Sequence, residues 1–298
     1  MRVHHINCAT MCPLGGRLVY GDGAPWTASR MVCHCLLVET EAGLVLVDTG
    51  LGLADMADPR GRLGSPFLAL TRPRLDPAAT AARQIAALGF SIDDVRHVVP
   101  THLDVDHAGG LPDFPRARVH VLAREHAAAM ARVTQIERMR YHPEQWAHGP
   151  TWVLHAPAGE PWFGFECVRE LEGIGPDVLL VPLLGHTRGH AAVAVRTAEG
   201  WLLHAGDAYF HRHEVDVDSP RCTPALAAFQ KIVAIDDGAR RANQARLREL
   251  RRSHADEVRI FCAHDPHELE SLRAASGRHE EPTSGRTKAP DARLNTNR

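Results

Sequence analysis

The segment Thr101-His102-Leu103-Asp104-Val105-Asp106-His107-Ala108-Gly109-Gly110 packs two imidazoles and two carboxylates into the six positions from 102 to 107. Nitrogen and oxygen donors so close together suit a zinc, manganese or iron ion. The run follows an apolar stretch, and loops at strand ends are where a rigid scaffold presents functional side chains. If His102 and Asp104 face one way, and Asp106 and His107 the other, two adjacent metal sites result. A polar loop with capping aspartates is the plain alternative. The pattern H-x-D-x-D-H, however, arises by chance on the order of 0.005 times in a chain of this composition. Three more candidates each follow an apolar run: His190 in GHTRGH, Asp207 in LLHAGDAY and His264 in IFCAHD. Two metals roughly 3.5–4 Å apart need about that many ligands, one of them a bridging carboxylate.

The elements that must position these residues are legible from the pattern. VCHCLLVET and LVLVDTG form a hairpin over 32–48 around Glu41-Ala42-Gly43. Asp76-Pro77 opens a helix carrying Ala81, Ile85 and Leu88 at helical spacing, and Gly89 stops it. Val95–Val99 and 118–123 are strands, and 124–133 is a helix. Residues 134–161 are irregular, with Tyr141, Trp146, Trp152 and three histidines, and are read as an insertion or lid over a pocket. Strands follow at 178–183, 191–197 and 200–207. Thr223-Pro224 opens a helical stretch, and a basic helix with a solvated Arg-rich face runs over 239–252. A buried strand spans 258–264, and Asp265-Pro266 opens a last helix in which Glu268 completes a capping box. Strands mixed with helices predict an α/β fold, an αββα sandwich of two mixed sheets flanked by helices, as one domain over 1–275. The tail 276–298 has one Leu and no other large apolar residue, so disorder is expected there.

Composition narrows the function classes. The chain has 298 residues, 34 Lys+Arg against 36 Asp+Glu, and a pI near 6.9. That balance argues against a nucleic-acid partner held by bulk electrostatics. No run approaches 18 uncharged apolar residues, so no membrane partner is expected, and the N-terminus lacks a signal-peptide apolar core. Seven scattered cysteines suit a reducing compartment, and a cytoplasmic location is the expectation. Twenty histidines is a high count for a residue that is the commonest metal ligand.

The chain resembles the metallo-β-lactamase superfamily over roughly 30–270. The resembling pieces are LVLVDTG at 44–50, THLDVDHAGG at 101–110, GHTRGH at 185–190, HAGD at 204–207 and CAHD at 262–265. Within the superfamily, GHTRGH and GDAY look closest to lactonase-like and glyoxalase II-like hydrolases. The resemblance implies an αββα fold with two divalent metal ions, zinc by preference, between the sheets. Residue by residue, it implies His102, Asp104 and His190 on the first metal, Asp106, His107 and His264 on the second, Asp207 as bridge and Asp48 as a buried structural aspartate. It further implies hydrolysis of a small-molecule ester, lactone or thioester by a metal-bound hydroxide, with Asp106 passing the proton to the leaving group. Lactonase-like relatives use a tyrosine where this chain has Phe210, which makes Tyr209 the second catalytic candidate.

One position departs from the family. The usual motif is His-x-His-x-Asp-His, and Asp104 replaces its second histidine. With two divalent ions and one hydroxide, the formal charge of the site falls from about +1 to about 0, which weakens the metals as Lewis acids. An added oxygen donor also shifts preference toward manganese or iron. Flavodiiron proteins resemble this chain in carrying an acidic residue there, so a diiron redox protein is the alternative from another class, and a phosphodiesterase of the same fold is the second hydrolytic option. Outside the motifs, Cys8, Cys12, Cys33 and Cys35 could hold a structural zinc, although buried cysteine is common. His211 and His213 are read as an exposed strand face. His186 and His204 flank ligand positions and are read as residues that orient the ligands. His4 and His5 have no assigned partner, and oligomeric state is left open.

Overall fold

In this computed structural model, residues 1–156 and 158–277 are described. The first sheet runs β1 (Arg2–Met11), β2 (Met31–Thr40), β3 (Gly43–Val47), β4 (Val95–Val99), β5 (Arg118–Leu122) and β6 (Thr151–His155), in that spatial order. The second comprises β7 (Glu160–Trp162), β8 (Phe165–Leu171), β9 (Gly175–Pro182), β10 (Ala191–Thr197), β11 (Gly200–His204) and β12 (Val258–Phe261), in the reverse order from β12 to β7. Both sheets are mixed. β3, β4, β5 and β6 pair in parallel, as do β11 and β12, and the other pairs are antiparallel.

The strands are apolar on both faces, and the two faces of each bury against different layers. Leu36 and Val38 on β2, and Val45 and Val47 on β3, meet Leu180, Val193 and Val195 of the second sheet in the central core. The alternate residues Leu37, Leu44 and Leu46 face outward, onto Ala81, Ala82 and Ile85 of the helix Ala81–Ala87. On the other side, Val181, Ala192, Ala194 and Leu203 face Leu247 and Leu250 of the helix Asp237–Ser253. Side chains alternate across a strand, so one sequence stretch fills both a sheet–sheet and a sheet–helix layer. This is the αββα sandwich expected.

Several local expectations are corrected. Asp76 caps only a short turn, Pro77–Ala79, accepting from the Ala78 amide at 2.9 Å, and extended Thr80 separates that turn from the helix. Residues 151–155 of the supposedly irregular stretch form β6, and 135–140 form a helix. β1, β7 and β8 were not anticipated. His211 and His213 lie at a short helical turn, and His211 is buried against Tyr20 with ring centroids 5.0 Å apart. The basic helix is not wholly solvated, because Arg240 is buried and donates to Gln230 at 2.6 Å. Asp265 caps the last helix, Pro266–Gly277, through the His267 amide. Glu268 does not close a capping box, because its carboxylate turns inward to the Cys262 amide and the Tyr209 hydroxyl. The expected disordered tail lies, from residue 278 on, outside the described residues. Among the described residues no helix is long and apolar enough to cross a membrane.

Candidate metal centre

The site grows from the C-terminal ends of β3, β4, β11 and β12. Asp48 follows β3 with φ 55, a left-handed conformation that turns its carboxylate toward the next strand's loop. It accepts from the Thr101 amide at 2.7 Å and sits 2.8 Å from His107 Nδ1. Burial alone would raise the Asp48 carboxyl, but the adjacent His107 outweighs it and keeps the group ionised. A carboxylate on Nδ1 fixes the imidazole's tautomer and leaves Nε2 free for a metal. His264 is fixed in the same way, with Nδ1 2.7 Å from the Val32 carbonyl. The glycine pair 109–110 serves close packing rather than a sharp turn, since a Cβ on Gly109 would sit 2.3 Å from the buried Asp55 carboxylate.

Two compact sets of donors result. In the first, His102 Nε2 is 3.2 Å from Asp104 Oδ2 and 3.9 Å from Asp207 Oδ2, and His186 Nε2 is 3.2 and 3.3 Å from the same two oxygens. In the second, His107 Nε2 is 3.8 Å from Asp106 Oδ2 and 3.3 Å from Asp207 Oδ1, and His264 Nε2 is 3.6 and 3.0 Å from the same two. A tetrahedral metal with bonds of roughly 2.0–2.2 Å separates its ligand atoms by about these distances. Asp207 gives one oxygen to each set. His102 Nε2, His107 Nε2, His264 Nε2 and Asp207 Oδ1 are buried with no hydrogen-bond partner. Buried polar atoms are rarely left unpaired, so four converging orphans fit a pair of missing cations.

Of the expected ligands, His102, Asp104, Asp106, His107, Asp207 and His264 converge here, and His190 does not. His190 Nε2 accepts from the Asp207 amide at 2.9 Å and its Nδ1 bonds the Leu183 carbonyl at 2.9 Å, so both nitrogens are spent on backbone. His186, four residues earlier in GHTRGH, instead brings Nε2 to the Asp104 and Asp207 oxygens, with Arg140 Nη1 2.9 Å from the same nitrogen. Burial, then the charge of Arg140, lowers the His186 imidazole to about 4, which keeps it neutral as a ligand must be. The catalytic role expected of Tyr209 is also corrected. Its side chain is fully buried in the core under the second sheet and its hydroxyl donates to Glu268 at 3.0 Å. Phe210 lies against the site instead, stacked on His264 at 5.1 Å. His204 donates to the His34 carbonyl at 2.6 Å and supports the backbone rather than orienting a ligand ring. Among the described residues, Cys33 joins a donor group with Asp106 and His264, and none of the donor groups holds more than one thiol.

Three supporting residues escaped the sequence reading. Glu125, fully buried, accepts from the Leu103 and Gly189 amides at 3.0 and 2.9 Å and from the Tyr141 and Thr187 hydroxyls, tying the 101–110 loop to the 185–190 loop. Arg140 donates to Asp104 at 2.6 Å. Tyr20 donates to the carbonyls of Phe210 and His264 at 2.7 and 2.8 Å. A signal existed only for His186, inside the motif; the others lie far in sequence from what they hold.

Comparison with known proteins agrees with this fold. The metallo-beta-lactamase superfamily model matches residues 28–275. A probable metallo-hydrolase of Mycobacterium tuberculosis is 48% identical over 266 residues, covering 89% of this chain and 81% of that protein. An N-acyl homoserine lactonase of Bacillus thuringiensis is 24% identical, covering 89% of this chain and 94% of its own. Among solved structures, an N-acyl homoserine lactone hydrolase with N-hexanoyl-L-homoserine bound at its catalytic metal centre superposes with a TM-score of 0.67 at 22% identity, covering 91% of this chain and 95% of that one. A motif set in order along the chain, a sandwich that brings it together and a family model spanning most of the sequence lead to one assignment: the chain belongs to the metallo-beta-lactamase superfamily.

Proposed function

We propose that the chain is a dinuclear metal-dependent hydrolase of a small ester, lactone or thioester. The observation that carries this is the pair of donor sets sharing Asp207. His102, Asp104, His186 and Asp207 would hold one cation, and Asp106, His107, His264 and Asp207 the other. Two bound divalent ions supply a hydroxide near neutral pH and a Lewis acid for a carbonyl oxygen. Each set offers two imidazoles and two carboxylates, donors that suit zinc and also manganese or iron.

The chain's own residues set the direction of approach. His102 and His264 are fully buried, and Asp207 is 3% exposed, whereas the Asp104 and Asp106 side chains are 16% and 12% exposed. Substrate therefore meets the aspartate edge of the site. Asp106 is the carboxylate placed there to carry a proton to the leaving oxygen. The lactonases it resembles make a lactone the first substrate class to try. Cys8, Cys12, Cys33, Cys35, Cys222 and Cys262 are free thiols, which suits a reducing, cytoplasmic setting. The expected result is turnover of lactones or p-nitrophenyl esters by chain loaded with about two metals. Oxygen-dependent turnover by an iron pair, with no hydrolysis of either class, would instead establish the redox reading.

A further inference from the structure

Asp104 stands where the family usually has histidine, and it does not stand alone. Arg140 Nη1 donates to Asp104 Oδ2 at 2.6 Å and lies 2.9 Å from His186 Nε2, while Nη2 donates to the Val233 carbonyl at 2.6 Å. The Arg140 side chain is 6% exposed. A guanidinium so buried is tolerated when a carboxylate faces it and costly when that partner is removed. Its position is fixed from both sides. Arg140 ends the helix Gln135–Arg140, whose Glu137 holds Arg188 of the GHTRGH loop at 2.6 Å, and the next residue, Tyr141, donates to Glu125.

We propose that Asp104 and Arg140 form one coupled substitution for the family's histidine, and that the first metal's retention depends on the pair. The inference rests on the two-metal reading. Two divalent ions, one hydroxide and three carboxylates sum to a formal charge of about 0, and the guanidinium returns it to about +1, the value of the histidine version. Arg140 is then a positioning residue. It holds the Asp104 carboxylate against His102 and His186, and it restores the positive field that the aspartate removes. Its own charge makes it incompatible with a neutral residue at 104. The guanidinium already lies 2.9 Å from the His186 nitrogen that would bind the metal, and the Asp104 carboxylate, 2.6 Å from the one and 3.2 Å from the other, is what offsets its charge there.

The test compares a single variant with its compensated double variant, read by metal content. Zinc is added to wild type, Asp104→His, Asp104→His/Arg140→Met and Arg140→Lys chains, and bound metal is counted and titrated against a chelator. Wild type should hold about two ions. Asp104→His should hold about one, with the first-set ion weakened tenfold or more, even though it rebuilds the family motif. Asp104→His/Arg140→Met should regain two, and Arg140→Lys, which keeps the charge, should stay near wild type. Two ions held as tightly by Asp104→His as by the double variant would overturn the coupling while leaving the two-metal reading intact. Fewer than two in wild type would overturn that reading itself. If Asp104→His fails to fold, thermal melts of metal-free Asp104→Asn and Asp104→Asn/Arg140→Met replace it. A Tm higher in the double variant than in Asp104→Asn supports the pair, and an equal or lower one refutes it.

Discussion

Individual side chains here are distinguished by what their donor atoms face. GHTRGH offers two histidines four positions apart, and nothing in that spacing says which one binds metal. The structure separates them by what they face: His190 has both nitrogens on backbone partners, whereas His186 has Nε2 among the Asp104 and Asp207 carboxylates and beside Arg140. His186→Ala should therefore drop metal content from about two ions to about one. His190→Gln should keep both while lowering Tm, through loss of two buried hydrogen bonds of about 1 kcal/mol each. Metal analysis beside a thermal melt checks this, and the opposite ranking would restore His190 as the ligand. On the second set, Asp106→Ala and His264→Ala should each remove metal and hydrolysis together, and either variant with full metal content would break that assignment. Tyr209 predicts differently. Tyr209→Phe should leave turnover within about twofold, because its hydroxyl faces Glu268, whose carboxyl is pushed up to about 7 by burial and by nearby Asp265.

Loops and helices carry the supporting contacts, and this is where sequence was least informative. The strands flanking each motif could be read because apolar runs of four to eight residues are visible locally. THLDVDHAGG, HAGD and CAHD could be placed at strand ends for the same reason. β1 escaped because its buried positions, His5, Ile6, Cys8, Ala9 and Met11, include a histidine and a cysteine and do not alternate cleanly. β6 escaped because it follows a short helix and a turn in a segment with no regular period. Glu125 could not be assigned from sequence, because its four partners come from 103, 141, 187 and 189. Removing such a hub leaves several buried donors unpaired. Glu125→Ala should cost about 3 kcal/mol or more in denaturant unfolding and loosen the first metal before the second. A loss below about 1 kcal/mol, with both ions retained, would show that the two loops hold their places independently.

For the whole molecule, the histidine surplus has a structural use beyond the metals. His97, His120 and His155 form a chain across β4, β5 and β6, with nitrogens 2.9 and 3.1 Å apart, and His5 and His34 form a second link at 2.9 Å. Burial, then neighbouring imidazoles, lowers His5 and His120 to about 3. These groups stay neutral in the folded chain and take up protons readily when it unfolds. Their contribution is intact above about pH 6.5 and is lost as pH falls from there toward about 3. Tm should hold steady from about pH 7 to 8.5 and decline below about 6.5, with a shallower decline in His120→Leu. Equal slopes in the two proteins would remove His120 from that account.

Shared use of Asp207 would make two metal sites out of one cluster of donors. The direct measurement is metal stoichiometry of the purified, metal-reconstituted chain beside its Asp207→Ala variant, with hydrolysis of a lactone and a p-nitrophenyl ester followed on both. About two ions per wild-type chain, both lost or weakened at least tenfold in the variant together with hydrolysis, is the result expected of a carboxylate giving one oxygen to each cation. A single ion in the wild type, or a variant that loses only one ion and still turns over, would contradict it.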